Sequence, residues 1–355
     1  MNRTIYFLLL GLFISSGNIE AQSSPEIGGE INTRLNFDLD NSEEIWSRTT
    51  FKLKLNSQVN DNACAYANLK MFTTETSQFG WKLSEAYVDY YVDKFDLRVG
   101  VQQISWGTAY SINPTNNINP FDLSEQETFI PEERLGVTAI RTKYFPLANL
   151  ALTCVLIPYF VPALEVPGVV LPEKKLGNSE YAFKLMAQSI IGCDFSVSYF
   201  KGKEDYPWIN GQYRDVKIYG GDVIGTIWEM ALWIEGAYTM PDIGDSSFQI
   251  AAGGEYTSGN DLYCMGQFYH INYPNANENY LIAVLRYPFM DIHTLQLGMA
   301  YETESEVFIV FPEINISLAD ATSLKIGGIY ISEQAGGSLL SQIKNMALIE
   351  LEYYF

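Results

Sequence analysis

Polar and apolar residues alternate with a period of two along many parts of this chain. Residues 30–39, 48–55 and 85–93 each place polar or amphipathic side chains at one parity and mostly apolar side chains at the other. Successive side chains of a β-strand point to opposite faces, so each segment is predicted to be a strand with one apolar and one polar face. Helical periodicity is nearly absent, and the pattern predicts an all-β protein.

The C-terminal residues 346–355 repeat this pattern and end on an aromatic residue. Ala347, Ile349, Leu351 and Tyr353 form an apolar face, and the chain ends at Phe355. Soluble proteins rarely end on such a strand, whereas the closing strand of an outer-membrane β-barrel often does. The segment therefore predicts a closing barrel strand, and it predicts recognition of Phe355 by the barrel-assembly machinery.

The N-terminal residues 1–21 are predicted to be a signal peptide. A short segment containing Arg3 precedes the apolar run 5–14, and small or polar residues follow up to Ala21. The apolar run is too short for a transmembrane helix, and no cysteine lies near the cleavage point to carry a lipid anchor. No later stretch approaches 18 uninterrupted apolar residues, so the chain is predicted to be exported without a membrane helix.

Together these features favour a single antiparallel transmembrane β-barrel over residues 22–355, located in the bacterial outer membrane. Tyr (24) and Phe (20) are abundant and mean hydropathy is −0.02, as expected where lipid-facing and lumen-facing residues alternate. A soluble β-sandwich or β-propeller is the alternative with the same period. The net charge of −20 excludes binding to nucleic acid, which needs a basic surface.

Turn signals predict about 18 strands, with 16 as the alternative. Tight turns are expected near 60–62, 93–94, 146–149, 192–194, 228–229, 258–261, 288–291 and 320–322. Longer connections are expected at 108–135, 161–179, 204–211, 272–278 and 336–345. Alternating short and long connections, with an even strand number, predict that both termini lie on the periplasmic side.

The loop 108–135 is the longest predicted connection and is rich in Pro and Asn. Proline resists regular structure, and Asn and Asp bond to their own backbone in compact turns. Such a loop can fold into the lumen and constrict it, because long loops in compact proteins are usually functional. The alternative is a surface loop that lies over the barrel mouth.

A short run of residues resembles a known kind of barrel. Gly100, Gln102, Trp106 and Gly107, followed by the segment 119–122, resemble the porin-like barrels related to alginate-export channels. Those tend to show a G-x-Q-x-x-x-W-G strand end that leads into an N-P-x-D loop. The resemblance implies a channel fold, and it carries no sugar-binding residue and no substrate over to this chain.

The charges predict an asymmetric lumen. Only five of the 22 Lys and Arg lie beyond residue 205, where 18 acids are found. The predicted pore-lining basic wall consists of Arg34, Arg48, Lys52, Lys54, Lys70, Arg98, Arg141 and Lys143. The acids of the constriction loop are Asp122, Glu125, Glu127, Glu132 and Glu133. If they face each other, the two sets would produce a transverse field that aligns dipolar solutes, while the excess of acids favours cations. The alternative is that the charges pair and solvate a polar lumen.

Catalysis has little support in the sequence. His270 and His293 lie in no hydrolase motif, and the paired acids Glu85 and Asp89 are ordinary in a pore. Cys64, Cys154, Cys193 and Cys264 are too widely spaced for a zinc site, although a disulfide is possible. The chain is therefore predicted to be no enzyme and to need no cofactor or metal.

The predicted function is that of a porin, a passive diffusion channel for small hydrophilic solutes. One alternative is an occluded barrel that acts as an adhesin or a structural envelope protein. Another is a channel for hydrophobic compounds, which needs an apolar pocket in the lumen that the alternation argues against. Predicted partners are outer-membrane lipid and lipopolysaccharide, and the sequence leaves open whether the barrel is a monomer or a homotrimer.

Overall fold

A computed structural model of the chain shows 18 antiparallel strands joined into one closed sheet, which confirms the predicted all-β barrel and its strand number. The structure describes residues 24–40, 44–73, 78–110, 112–122, 134–163, 166, 168–208, 211–273, 276–332 and 344–355. The predicted signal peptide and the end of the chain that carries it lie outside these ranges.

The strands run in sequence around the ring. They are β1 (Glu26–Asp38), β2 (Ile45–Asn60), β3 (Ala63–Thr73), β4 (Phe79–Val92), β5 (Phe95–Gln102), β6 (Val137–Leu147), β7 (Leu150–Ile157), β8 (Glu180–Ile190), β9 (Cys193–Lys203), β10 (Asp215–Ile227), β11 (Met230–Pro241), β12 (Ser247–Thr257), β13 (Tyr263–Tyr273), β14 (Ala276–Phe289), β15 (His293–Glu302), β16 (Val307–Ala319), β17 (Thr322–Ile331) and β18 (Met346–Tyr354). A 3₁₀ turn, Leu176–Asn178, precedes β8. Within the described ranges, no helix is long and apolar enough to cross a membrane.

The period-two pattern decides which face of each strand points outward. In β1, Ile31 and Leu35 are exposed on the outside, whereas Asn36 and Asp38 are buried inside. Apolar side chains on the outer wall would be costly in water and are favourable against lipid. The parity inferred from the sequence for residues 30–39 is therefore confirmed.

The two ends of the barrel differ in their connections. At the turn end, which also holds the first and last described residues, tight turns join the strands at all eight predicted places. At the loop end, the connections 103–136, 158–179 and 204–214 are long. One prediction was wrong: the 272–278 connection is a tight hairpin, because Tyr273 pairs directly with Ala276.

The barrel closes by pairing β1 with β18. The register runs from Glu30 opposite Tyr354 to Asp38 opposite Met346. The main chain of Phe355 exchanges two hydrogen bonds with Gly29, and the Phe355 ring stacks on Phe51 at 5.8 Å. The predicted closing strand is thus confirmed, with its apolar face outward.

A β-bulge in β4 shifts the alternation of that strand. The pairing of β4 with β3 steps by one residue between Asn68 and Leu69, so that Lys82 opposes Lys70 while Glu85 opposes Asn68. A bulge adds one residue on one strand and reverses the parity beyond it. Lys82 and Glu85 consequently both point into the barrel, although they are an odd number of residues apart.

Candidate functional site in the barrel interior

The connection between β5 and β6, residues 103–136, enters the barrel interior and is called the inserted segment here. Its main chain bonds to inward-facing side chains of β11 and β13, six and eight strands away around the ring of 18. The motif residues Trp106 and Gly107 belong to this segment and not to the end of β5, which stops at Gln102. The segment therefore reaches almost the opposite wall.

Glu235 on β11 is the principal anchor of the inserted segment. Its side chain is fully buried, and its carboxylate accepts three backbone N–H groups: Thr108 (2.7 Å) and Ala109 (2.9 Å) at Oε2, and Thr115 (2.6 Å) at Oε1. Hydrogen bonds to a charged acceptor are the stronger ones, and together they offset the cost of burying a carboxylate. Glu235 thereby fixes a turn of the segment against the wall.

Gly107 permits this close approach. Its φ of +90° lies in the region that favours glycine. A Cβ at this position would overlap the carboxylate of Glu235 and the amide oxygen of Asn113. The glycine of the Trp106–Gly107 motif is therefore required by the backbone conformation and by the buried carboxylate beside it.

Gln267 on β13 forms the second anchor. Its amide oxygen accepts the backbone N–H of Tyr110 (2.8 Å) and the indole N–H of Trp233 (3.0 Å). Its amide nitrogen donates to the carbonyl groups of Tyr110 (2.7 Å) and Ile112 (3.2 Å). All four hydrogen-bonding positions of the amide are thus filled, which defines one orientation for the segment.

Asn119 joins the two legs of the inserted segment. Its amide oxygen accepts the N–H of Ile104 (2.7 Å), and its amide nitrogen donates to Gln102 O (3.0 Å) and Leu135 O (2.7 Å). Arg134 adds a bond from its guanidinium to the carbonyl of Asn119 (2.7 Å). The Asn119–Pro120 motif therefore has a structural role in closing the base of the segment.

The predicted basic wall lies on the inner face of β1–β6. In the strand register Arg34 opposes Arg48, Lys52 opposes Lys70, and Arg98 opposes Arg141, with Lys54 and Lys143 on the same face. The structure thus brings the eight predicted residues onto one side of the interior.

Acids neutralise much of this wall locally. Arg34 pairs with Glu350 (2.5 Å) and Lys52 with Glu30 (2.9 Å), and Arg98 binds both oxygens of Asp89 (2.6 and 2.7 Å). Among the described residues, Lys54, Arg141 and Lys143 form no ion pair. The positive charge that remains is concentrated on β2 and β6.

Asp122, the constriction-loop acid that the structure places, is buried in an ion pair with Lys82 on β4. It therefore contacts the basic side of the interior and does not face that side across the lumen. Glu125, Glu127, Glu132 and Glu133 lie outside the described residues, so the predicted transverse field stays a prediction.

Beside β6–β18 the loop-end half of the interior is largely apolar, contrary to the polar lumen inferred from alternation, whereas Arg48, Lys70 and Lys82 lie near the loop end of β2–β4. One cluster joins Ile104, Trp106 and Ile118 of the inserted segment to inward residues of β6–β11. A second joins Ala109 and Ile112 to inward residues of β12–β18. Its buried members are Ala251, Tyr269, Ile271, Tyr280, Ala300, Val307, Ile309, Ile329, Ile331 and Met346. Near the loop end, both the inner and the outer faces of these strands are apolar. Alternation with a period of two does not reveal such a change in polarity along the barrel axis.

The connection after β9 carries one group with a strongly altered titration. Burial raises the pKa of the Asp205 carboxyl to about 7, and the neighbouring Arg134 guanidinium opposes this rise. The backbone carbonyl of Asp205 also accepts the N–H of Ala163 (3.1 Å) from the connection before β8. Asp205 therefore changes charge near neutral pH beside the base of the inserted segment.

The described residues contain no group of three or more His, Cys, Asp or Glu side chains that could hold a metal ion. The four cysteines lie on β3, β7, β9 and β13 and are free, so the possible disulfide is not formed.

Sequence reasoning missed Glu235, Gln267 and Lys82. Glu235 and Gln267 are single polar residues within otherwise apolar or small stretches of their strands, a signal that could have marked a buried anchor. Lys82 was missed because the bulge in β4 reverses the parity on which the lumen assignment rested.

A family model described as a protein of unknown function, DUF1302, matches residues 32–152. This is roughly a third of the chain and includes the Gln102 and Asn119 motifs. No curated protein matches the sequence.

Solved structures share the fold over nearly the whole chain. Pseudomonas aeruginosa OccK5 (OpdH) has a TM-score of 0.64 at 10% identity, covering 94% of this chain and 98% of that one. An anion-selective porin from Comamonas acidovorans has 0.52 at 9% identity, with coverage of 94% and 99%. OmpT, an outer membrane protein of Vibrio cholerae in a trimer form, has 0.51 at 13% identity, with coverage of 94% and 99%. The chain thus has the 18-stranded porin-like fold of Gram-negative outer-membrane proteins.

Proposed function

We propose that this protein is a passive diffusion channel of the outer membrane that admits small hydrophilic solutes. The observation that carries the proposal is the inserted segment, which Glu235 and Gln267 hold across the interior of a wide barrel. A barrel of this size has room for an aqueous lumen, and a fixed segment inside it limits the solutes that pass. We propose an orientation in which the turn end of the barrel, with both termini and the tight turns, lies on the periplasmic side.

The constriction lies between the inserted segment and the wall formed by β1–β6. The ion-pair-free Arg141 and Lys143 contribute positive charge there, while the acids of β11–β18 dominate the rest of the interior. Cations are favoured overall, because the chain beyond residue 205 contains 18 acids and only five bases.

The test is single-channel conductance of the refolded protein in a planar bilayer, with the reversal potential measured across a salt gradient. We expect a stable open conductance and a reversal potential that indicates selectivity for cations. A folded barrel that remains silent for all salts and voltages would contradict it and support the occluded adhesin or structural barrel.

A second candidate is a channel for solutes with an apolar part, favoured by the apolar clusters of the loop-end half. Liposome swelling with a matched pair of solutes separates the two candidates. Equal or faster uptake of a benzoate-sized aromatic acid than of a smaller aliphatic acid would favour this second candidate. A rate that simply falls with solute size would favour the hydrophilic pore.

We also propose that the barrels form a homotrimer, as the name of the OmpT structure states for that protein. Mass measurement of the particle in a lipid nanodisc tests this directly. A monomeric particle at all concentrations would rule out the trimer and leave the channel proposal intact.

A further inference from the structure

Two lysines project from the outer wall of the barrel on neighbouring strands. Lys201 on β9 lies between the buried, inward-facing Phe200 and Gly202, and Lys217 on β10 lies between the buried Val216 and Ile218. Both therefore point away from the lumen, two residues from the loop end of their strands. A lysine on the lipid-facing wall is unfavourable near the bilayer centre and tolerated near the interface.

The two ammonium groups have no acidic partner among the described residues. Lys201 and Lys217 oppose each other directly in the register of β9 and β10. The nearest outward acid, Asp215, pairs with Lys203 (2.6 Å). Like charges directly opposite each other across two strands are destabilising, so an anion bound between them would relieve the repulsion.

An apolar groove begins beside Lys201 and runs along the outer wall toward the middle of the barrel. It has a volume of about 440 Å³. Its lining comprises Ile140, Thr142, Cys154, Leu156, Tyr181 and Phe183 on β6–β8, with Val155 beneath. The Nζ of Lys201 lies 5.5 Å from the centre of the Tyr181 ring, at the loop end of the groove. The small side chains of Thr142 and Cys154 leave the space between the larger ones.

A row of aromatic side chains marks the depth of this site in the membrane. Tyr181, Tyr199 and Tyr219 are neighbours on β8, β9 and β10, with ring centroids 6.3 and 5.2 Å apart. Aromatic belts lie at the level of lipid headgroups. Lys201 and Lys217 stand at or just beyond this row, where phosphate groups of lipids lie, and the groove extends from it into the hydrocarbon.

We propose that the outer wall of β6–β10 binds one phosphate-bearing lipid at the loop end, with its phosphate between Lys201 and Lys217 and an acyl chain in the groove of Cys154. The two lysines lie at the headgroup level, and the apolar groove lies below them toward the middle of the bilayer. This arrangement is complementary to an amphiphile with an anionic headgroup and an acyl chain. This site lies on the outer wall and does not depend on conduction through the lumen. Lipid binding can therefore be tested independently of the proposed channel function.

The experiment is native mass spectrometry of the detergent-solubilised, refolded barrel with two lipids that have the same acyl chains: diphosphorylated lipid A and the same lipid after enzymatic dephosphorylation. The wild-type barrel is expected to retain one phosphorylated molecule, and the dephosphorylated form much less. The double variant K201Q/K217Q should weaken retention about 30-fold, the loss expected for two lysines near a charged membrane surface.

Two further variants separate the groove from the charge. Cys154→Phe should also weaken retention of the lipid, because the phenylalanine ring fills the groove.

Lys94→Gln at the turn end and Ala252→Phe on the outer wall of β12 are the matched controls and should leave lipid retention unchanged. Heat-dependent gel mobility shows whether each variant is folded, and an excess of inorganic phosphate tests for a site that recognises the phosphate alone.

Equal retention of the two lipids, or unchanged retention in both the lysine and the groove variants, would overturn the proposal. Loss of lipid to inorganic phosphate alone, with Cys154→Phe behaving as wild type, would contradict the acyl-chain part. If the variants instead convert an oligomer to monomers with no change in lipid retention, this wall is an interface between copies of the chain and the proposal is wrong.

Discussion

Glu235 shows how one residue of the wall can determine the shape of the interior. Its two carboxylate oxygens meet three N–H donors of the inserted segment, whereas Glu85 on β4 accepts one, the N–H of Gln103 (3.0 Å). An apolar or amide side chain cannot replace Glu235, because the donors would remain buried without acceptors. The position is therefore the most sensitive point of the candidate site.

We predict that Glu235→Gln loosens the inserted segment. The amide can accept on one oxygen only, and its NH₂ group would face an N–H, at a cost of about 1–3 kcal/mol. The expected result is a higher single-channel conductance with more open-channel noise. Glu255→Gln is the matched control, because Glu255 bonds to Tyr263 of the wall and not to the segment. Identical traces for the wild type and Glu235→Gln would show that Glu235 does not hold the constriction.

Gly107→Ala is predicted to have the same effect through the backbone. Alanine is strained at a φ of +90°, and its methyl group would displace the Glu235 carboxylate, at a cost of about 1–3 kcal/mol. Because both changes break the same contact, the conductance of the double variant should match that of the worse single variant. Additive increases would indicate two independent contacts.

Asp205 is predicted to give the channel a pH dependence. Its raised pKa, about 7, means that the carboxyl is largely protonated at pH 5 and ionised at pH 9. Cation preference should therefore increase as pH rises through about 7, because a negative charge appears beside Arg134. Reversal potentials measured from pH 5 to pH 9 test this, and Asp205→Asn should flatten the curve. If the reversal potential of the wild type depends on pH as weakly as that of Asp205→Asn, Asp205 does not influence the ion selectivity of the channel.

At the scale of the element, the inserted segment is separable from the barrel that contains it. The strands are held by their own ladders, and β5 and β6 pair directly from Gln102 opposite Val137 onward. The segment adds anchors but no strand to the ring.

Replacing residues 108–118 by a short Gly-Ser linker is therefore predicted to leave the barrel folded and to widen the pore. Single-channel conductance should increase and selectivity among solutes of different size should fall. Circular dichroism and gel mobility report whether the sheet survives. A folded variant with unchanged conductance would place the narrowest point outside this segment.

Elements were more predictable from the sequence than the site was. Tight turns such as Asp93–Lys94 carry local backbone preferences, and strand faces follow from alternation, so both are encoded within a few residues. The partners of the inserted segment are not local: Thr108 and Glu235 are 127 positions apart. Only the three-dimensional ring brings them together, and the bulge beside Lys82 alters parity without a distinct sequence signal.

At the scale of the molecule, the polarity of the interior differs along the barrel axis as well as between opposite walls. Beside β6–β18, apolar clusters occupy the loop-end half, while ion pairs such as Lys184–Asp222 (3.4 Å) and Lys325–Glu352 (2.7 Å) lie closer to the turn end. A solute that crosses the barrel meets these environments in succession.

Neutralising Arg141 and Lys143 together to Gln is predicted to increase cation preference, because both lack an ion-pair partner among the described residues and their loss leaves no buried acid unpaired. The shift in reversal potential should be largest at low salt, since charges farther apart than about 10 Å are screened at 0.1 M. Lys94→Gln, which removes one positive charge from a turn-end connection, is the control. An unchanged reversal potential would remove β6 from the conducting path.

The seam between β1 and β18 has a consequence for how the molecule forms. The ion pair of Arg34 with Glu350 joins residues 316 positions apart, so the two strands meet only when the two ends of almost the whole chain come together. Until then both strands expose unpaired edges, which invite aggregation, and contacts so distant in sequence form slowly. We therefore expect an open stage in the assembly of the ring, and shielding of the two free edges during that stage should raise the yield of finished barrels.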